Sequence, residues 1–216
     1  AGWQGARLRS LSVNREEHRQ KVYQTRAADA VSWYRPQLSV SLELLELAGL
    51  SAESRLVDVG GGASTLVDDL VARGLKGVTV LDVSEAALAV ARQRLGERAR
   101  DVTWLVTDLL QAELPEGGFD LWHDRAVLHF LTDASDAERY AAIAARAVPI
   151  GGHAVIAGFA PDGPEKCSGL PVARRSAESV AAILAPAFCL LATRAERHIT
   201  PAGAEQSFAY ALLRRE

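Results

Sequence analysis

Short apolar runs alternate with amphipathic stretches along most of this chain, and the alternation predicts a repeated strand–helix order. Five of the runs, RLVDV and GVTVLDV among them, are apolar on successive residues, which is typical of strands buried on both faces. The intervening stretches repeat apolar residues at helical spacing, which predicts helices that pack one face against a sheet. The two patterns together predict an α/β fold with a parallel sheet covered on both sides.

The predicted helices begin at residues that favour helix starts. The first covers Pro36–Leu50 and has its proline near the start. We expect the next three to be capped by Ser64 or Thr65, by Ser84 and by Ser135. The strands are predicted in five segments: RLVDV (55–59), GVTVLDV (77–83), VTWLVTD (102–108), FDLWHD (119–124) and GGHAVIAGFA (151–160).

The C-terminal part departs from this alternation. A predicted helix in residues 176–186 is followed by two strand-like segments, 188–200 and 205–215, with only a short Pro-Ala-Gly connection between them. A parallel crossover needs a dozen or more residues, so these two strands must be antiparallel. The prediction is a doubly wound, mostly parallel sheet with an antiparallel last strand and helices on both faces.

Length and charge limit the classes of function. The 216 residues predict a single domain over residues 36–216, preceded by an N-terminal extension or lid segment over residues 1–35. A net charge of −3 gives no basic bias toward nucleic acid or an anionic membrane. No apolar run approaches the roughly 18 residues that span a bilayer, and the first residues lack the apolar region of a signal peptide. We therefore expect a cytoplasmic protein with neither nucleic acid nor membrane as its partner.

Three consecutive glycines lie between the first predicted strand and the helix that follows it. Asp58 and Val59 are followed at once by Gly60, Gly61 and Gly62. In an open parallel sheet the ligand lies beyond the carboxyl ends of the strands, and glycine lets it approach the backbone without a Cβ in between. The glycines therefore mark the first edge of a ligand site.

The next two strands end in aspartates as well. Asp82 can accept two hydrogen bonds from a ribose diol, and Asp108 can accept one from an exocyclic amine such as that of adenine. The glycine segment lacks the third glycine of a dinucleotide fingerprint and the lysine of a P-loop, so it does not cradle phosphate specifically. These residues indicate a nucleoside with an amino-acid tail, whose ammonium would meet Asp58 or nearby carbonyls.

At this point the chain resembles the class I S-adenosylmethionine-dependent methyltransferases. VDVGGGAST resembles their first motif, VLDVS their ribose-binding motif and VTDLL their adenine-contacting motif. LPEGGFDLWHDRAVLHFL resembles their fourth strand with its loop, and RAVPIGGHAVI the approach to their fifth strand. Gly61 departs from the pattern only by filling a position that is usually variable.

The resemblance implies a seven-stranded, Rossmann-like sheet, S-adenosyl-L-methionine as methyl donor and S-adenosyl-L-homocysteine as product. The implied cofactor-binding residues are Trp33, Asp58, Gly60, Gly61, Gly62, Asp82, Val83, Asp108, Leu109 and His123. The five histidines are scattered and the two cysteines are not closely spaced, so no metal is expected.

The acceptor side is expected from the N-terminal segment and from the loops after the fourth and fifth strands. Trp33 and its neighbour could close over the sulfonium by a cation–π contact, or they could be core residues. His123, Asp124 and Arg125 follow the fourth strand and are the predicted catalytic residues, although Arg125 could instead form a structural ion pair. The polar loop 160–176 is expected to cover the substrate.

Several functions are compatible with these features. The favoured one is methyl transfer to a small-molecule acceptor, with a nitrogen or sulfur nucleophile ahead of oxygen, by a monomer or homodimer. Asp124-Arg125 resembles an Asp-Lys pair of some protein-lysine methyltransferases, which makes lysine methylation the main alternative. A nicotinamide-dependent oxidoreductase and a catalytically silent cofactor-binding partner remain further alternatives.

Overall fold

The computed structural model describes residues 34–216. Almost all of the predicted N-terminal extension, residues 1–35, lies outside these residues, and so does Trp33. Within residues 34–216, no helix is both long and apolar enough to cross a membrane.

The described residues form a seven-stranded sheet with the order β3-β2-β1-β4-β5-β9-β8, and a separate two-stranded hairpin, β6-β7. The strands are β1 (Arg55–Val59), β2 (Gly77–Asp82), β3 (Val102–Val106), β4 (Leu121–Arg125), β5 (His153–Phe159), β6 (Lys166–Cys167), β7 (Leu170–Pro171), β8 (Phe188–Ile199) and β9 (Glu205–Arg215). Strands β1 to β5 are mutually parallel, and β9 is antiparallel to both β5 and β8. The predicted doubly wound sheet with an antiparallel last strand is confirmed.

The helices follow the predicted order with shorter bounds. They are α1 (Ser39–Leu47), α2 (Leu66–Ala72), α3 (Glu85–Leu95), α4 (Ala134–Ala147) and α5 (Ala177–Leu184). Ser84 caps α3 as predicted, because its hydroxyl accepts a hydrogen bond from the Ala87 amide at 3.2 Å. The expectation for α4 was wrong: the helix starts at Ala134, so Ser135 lies inside it and Asp133 occupies the cap position.

Two apolar layers hold the helices on opposite faces of the sheet. One layer joins α1, α2 and α3 to the sheet through residues such as Leu45, Leu70 and Leu88. The other joins α4 and α5 to the opposite face and includes the fully buried Trp122 and Tyr140. Because successive strand residues point to opposite faces, each strand contributes to both layers, and the carboxyl ends of the parallel strands meet along one rim.

Candidate functional site

A cleft opens at this rim, and its empty space of about 620 Å³ includes the solvent at its mouth. Val59, Gly60, Leu81, Asp82, Val83, Asp108, Leu109, Leu110, Val127, Phe130, Leu131 and Leu170 line it. Five of the predicted cofactor-binding residues are among them: Gly60, Asp82, Val83, Asp108 and Leu109. The cleft lies at the point where the strand order reverses: β2 and β3 are on one side of β1, and β4 is on the other. Open α/β sheets bind ligands at such a position.

The glycine turn is tightly packed against its surroundings. Gly60 and Gly62 have positive φ angles of 68° and 44°, a region that favours glycine. A Cβ on Gly60 would overlap Val127 Cγ2, and one on Gly61 would overlap the Asp58 carboxylate. A Cβ on Gly62 would lie 2.8 Å from Asp82 Oδ2. The three glycines therefore let the turn fit between two carboxylates and the loop after β4.

The two aspartates in the cleft wall are held by the backbone amides that follow them. Asp82 Oδ1 accepts a hydrogen bond from the Ser84 amide at 2.8 Å, and Asp108 Oδ1 accepts one from the Leu110 amide at 2.9 Å. These turns fix both carboxylates at the carboxyl ends of β2 and β3. The sequence-based prediction that successive strands present acids to one rim agrees with this arrangement.

Asp58 lies behind the glycine turn in a buried hydrogen-bonded chain. Its Oδ1 is 2.7 Å from His123 Nδ1, and His123 Nε2 is 2.9 Å from the Ser41 hydroxyl on α1. All three residues are at most 2% exposed. The second carboxylate oxygen, Asp58 Oδ2, is buried and has no hydrogen-bond partner among the described residues. His123 is thus engaged at both ring nitrogens and does not line the cleft.

Asp124 points to the opposite face of the sheet and holds the loop after β4. Its Oδ1 accepts from the Val127 amide at 2.7 Å, and its Oδ2 accepts from the Leu128 amide at 3.0 Å and from the Tyr140 hydroxyl at 2.7 Å. Complete burial raises the pKa of Asp124 to about 6, against the lowering effect of these three donors. These contacts give Asp124 a structural part in shaping the cleft wall, and its predicted catalytic role stays untested.

Arg125 belongs to a buried ionic cluster away from the cleft. Its guanidinium donates to the Tyr210 hydroxyl at 3.0 Å and approaches Glu196 Oε2 at 3.5 Å. Arg35 also donates to Glu196. Burial would raise the pKa of Glu196, but the Tyr210 hydroxyl and the two guanidinium groups together lower it. The alternative reading of Arg125 as a partner in an ion pair describes what its side chain does here.

The loop 160–176 is fastened to the loop after β4. The Arg175 guanidinium donates to the carbonyl oxygens of Leu128 at 2.8 Å and Leu131 at 2.7 Å, and the Ala173 amide donates to the His129 carbonyl at 2.8 Å. The same loop contains the β6-β7 hairpin, which brings Leu170 into the cleft wall. The predicted covering loop therefore does reach the cleft, through a leucine.

Sequence reasoning missed the apolar residues that the loops after β4 and β5 contribute to the cleft. These residues are Val127, Phe130, Leu131 and Leu170, and single apolar residues in loops carry no signal that separates a cleft wall from a core. Ser41 was missed too, although a serine among the buried leucines of α1 is a detectable anomaly. Within residues 34–216, no group of three or more histidine, cysteine, aspartate or glutamate side chains is arranged to hold a metal.

Known proteins resemble this chain in sequence. A family model described as "Methyltransferase domain" matches residues 56–152. The eEF1A lysine and N-terminal methyltransferase of Mus musculus is 27% identical over 141 residues, which cover 62% of this chain and 20% of that protein. The chain thus spans about a fifth of the length of the curated relatives it matches first.

Solved structures share the fold. One, from work on the conversion of a disulfide bond into a thioacetal group during echinomycin biosynthesis, has a TM-score of 0.72 and 22% identity, covering 93% of this chain and 92% of that one. The N-methyltransferase NodS from Bradyrhizobium japonicum WM9, in complex with S-adenosyl-L-homocysteine, has a TM-score of 0.68 and 21% identity, covering 91% of this chain and 97% of that one.

Proposed function

Because the chain belongs to the class I S-adenosylmethionine-dependent methyltransferases, we propose that it transfers a methyl group from S-adenosyl-L-methionine to a small-molecule acceptor. The observation that carries the proposal is the cleft in which Gly60, Asp82 and Asp108, from three successive strand ends, line one wall. The acceptor atom is proposed to be nitrogen or sulfur. A cytoplasmic location and a monomeric or dimeric state remain predictions.

The residues of the cleft fit the proposed cofactor. Asp82 and Asp108 supply acceptors for a ribose diol and an exocyclic amine, and Val83 and Leu109 supply apolar surface beside them. The buried Asp58 Oδ2 lacks a partner among the described residues and lies against Gly61, which suits an ammonium group. The described residues that line the cleft include no lysine, so a pyrophosphate would find little charge compensation from them.

S-adenosyl-L-methionine, when bound, supplies a methyl group on a positively charged sulfur. The positive charge disappears as the methyl group leaves, so the transition state needs no strongly charged wall. Val127, Phe130, Leu131 and Leu170 give such an apolar wall; Leu131 is buried and the other three are half-buried.

The chain's contribution to the rate is proposed to be positioning. Among the residues of 34–216 that line the cleft, only Asp82 and Asp108 are ionisable, and both are assigned to the nucleoside. The predicted catalytic residues His123, Asp124 and Arg125 do not line the cleft, and their side chains bind other residues of the chain. An acceptor that arrives as a neutral amine or a thiolate needs no base from the protein, because alignment alone can lower the barrier.

Lysine methylation of a protein is the second candidate. The similarity to the eEF1A lysine and N-terminal methyltransferase favours it. The hairpin that brings Leu170 to the cleft favours a small acceptor instead, because a peptide needs an open groove. The fastening of this hairpin by Arg175 strengthens that argument.

The test is methyl transfer from S-adenosyl-L-methionine labelled in the methyl group. The full chain is incubated with a metabolite extract and, separately, with a peptide array that includes elongation-factor sequences. We expect label in extracted small molecules, and none with the Asp82→Asn variant. Label that enters only peptides would select the second candidate, and absence of transfer to either acceptor set would contradict the proposal.

A further inference from the structure

We propose that Ser41 and His123 are positioning residues that aim the second oxygen of Asp58 at the ammonium group of the cofactor. This inference rests on the proposed function. It assigns a task to a buried polar chain, Ser41–His123–Asp58, that lies behind the glycine turn of the cleft and that simple packing does not require.

The backbone sets two members of the chain side by side. Asp58 and His123 are paired in register on the neighbouring parallel strands β1 and β4, so their side chains leave the sheet on the same face. Helix α1 packs on that face and contributes Ser41. The chain therefore crosses three elements, and its geometry depends on the sheet register and on the position of the helix.

Hydrogen bonding fixes the direction of the Asp58 carboxylate. An ionised carboxylate only accepts, so His123 donates through Nδ1 to Oδ1, and its Nε2 meets the Ser41 hydroxyl. The contact of Oδ1 with His123 at 2.7 Å restrains rotation of the carboxylate, and Oδ2 lies against the backbone of Gly61. A side chain at residue 61 would overlap this oxygen.

An unpartnered acceptor at this depth needs an explanation. Asp58 is 2% exposed, and a buried carboxylate oxygen without a donor is strongly unfavourable. Three polar residues in an otherwise apolar layer are also a poor way to hold a helix, since leucine or phenylalanine would pack there without desolvation. Both features make sense if a cation from the ligand completes the hydrogen bonding of Oδ2.

The experiment compares two ligands that differ at the amino-acid end. S-adenosyl-L-homocysteine carries the ammonium group, and 5′-methylthioadenosine keeps the nucleoside but lacks the amino acid. Calorimetric titration of the full chain should show that His123→Phe weakens binding of the first ligand about tenfold or more, a factor typical of a hydrogen bond to a charged group. Binding of 5′-methylthioadenosine should change less than about twofold, since Asp82 and Asp108 are untouched.

His123→Asn serves as the conservative variant. Its side-chain amide can donate to Asp58 from nearly the place of Nδ1, so it should restore most of the affinity for S-adenosyl-L-homocysteine. Ser41→Ala should also weaken the binding of S-adenosyl-L-homocysteine, by a smaller factor. This variant keeps the inference testable if His123→Phe fails to fold. Asp58→Asn should abolish the preference for the longer ligand.

The outcomes separate the two proposals. Equal losses for both ligands would mean that the chain only shapes the cleft, and unchanged affinities in the Ser41 and His123 variants would mean that it has no part in binding. Either result overturns the inference while the proposed function stands, because the unaltered protein still binds S-adenosyl-L-homocysteine. An unaltered protein that binds neither ligand overturns the proposed function itself.

Discussion

Gly60 is the residue at which backbone conformation and close packing coincide. Its φ angle is 68°, and a methyl group there would overlap Val127 in the cleft wall. Gly60→Ala should therefore lower the free energy of unfolding by more than about 2 kcal/mol. It should also weaken the binding of S-adenosyl-L-homocysteine at least tenfold. Urea unfolding and calorimetric titration measure the two effects.

Gly74 provides the matched control. It also has a positive φ angle, 84°, but a Cβ at residue 74 would meet no atom within 4 Å. Gly74→Ala should cost only the backbone strain, about 1 kcal/mol, and leave ligand affinity unchanged. Equal effects of the two substitutions would contradict the claim that contact with Val127 shapes the cleft.

Asp124 makes stability depend on pH. Its pKa in the folded protein is about 6, above the ordinary value of 3.8, so the folded state binds the proton more tightly than the unfolded state. The stabilisation is fully present below pH 3.8 and is lost as pH rises through 6. This difference in pKa corresponds to about 3 kcal/mol of stability at this buried site.

The comparison with Asp124→Asn isolates this group. The asparagine side chain stays neutral at every pH, so the stability of the unaltered protein relative to the variant should fall between about pH 4 and pH 7 and then level off. Urea unfolding at several pH values measures the difference, in which other titrating groups cancel. A difference that stays constant across this range would show that Asp124 keeps its ordinary pKa.

The acidic residues at the strand ends show how far the sequence predicts the positions of single residues. Asp58, Asp82 and Asp108 were predicted at one rim because the carboxyl ends of parallel strands lie together. His123 and Asp124 were both predicted to be catalytic, although adjacent strand residues must point to opposite faces. Which face leads to the ligand depends on how α1 and α4 pack, and the residue pattern alone does not determine that.

At the scale of elements, the loops around the cleft are stabilised by contacts between distant segments. Arg175 donates two hydrogen bonds to carbonyl oxygens of the loop after β4. Arg175→Ala should remove about 2 kcal/mol of stability, since each bond has a charged donor and the side chain is half-buried. It should also weaken the binding of S-adenosyl-L-homocysteine, because Leu131 and Leu170 line the cleft.

The neighbouring Arg174 is the control for this prediction. It is exposed, contacts the Gly163 carbonyl at 3.3 Å and lies 3.5 Å from Glu165. Arg174→Ala should change stability by less than about 0.5 kcal/mol and leave binding unaltered. Thermal unfolding with and without ligand measures both variants, and indistinguishable behaviour would refute the role of Arg175 as a fastening residue.

Glu196 links the antiparallel hairpin to β4. Its side chain is 5% exposed and faces Arg125, which is 6% exposed. Glu196→Gln should lower the free energy of unfolding by about 3 kcal/mol, because it leaves a buried guanidinium without its carboxylate. Glu205→Gln, in an exposed pair with Arg197, should change it by less than about 1 kcal/mol. Similar losses in the two variants, measured by urea unfolding, would contradict this account.

The helices and strands themselves were largely predictable from the sequence, and the residues at which they begin and end were less so. Strand segments such as RLVDV carry continuous apolar runs, and these match β1 and its neighbours closely. The hairpin of β6 and β7 was not predicted, because two-residue strands beside glycine and proline leave no periodic pattern. Its position depends on Arg175 and on backbone contacts with distant residues, and such contacts are not visible in a local window.

For the whole molecule, the cleft is the place where the two faces of the sheet cooperate. The face that carries α1 to α3 contributes Asp58 with His123 and Ser41, and the face that carries α4 and α5 contributes Asp124 with Tyr140. The first set lies behind the glycine turn, and the second holds the loop that supplies Val127. A ligand in the cleft therefore contacts structure anchored in both apolar layers, and its binding should stabilise the entire domain.

This coupling yields a prediction about ligand choice. A ligand that binds only the folded state raises its stability by RT ln(1 + [L]/Kd), or about 2.7 kcal/mol at a concentration of 100 Kd. S-adenosyl-L-homocysteine should therefore raise the melting temperature of the full chain by several degrees, and NAD should not, because the glycine turn lacks a phosphate cradle. The Asp82→Asn variant should lose most of the shift while it keeps its melting temperature without ligand to within a few degrees. A larger shift with NAD than with S-adenosyl-L-homocysteine would favour the oxidoreductase alternative, because both ligands carry adenosine and differ in what is attached to it.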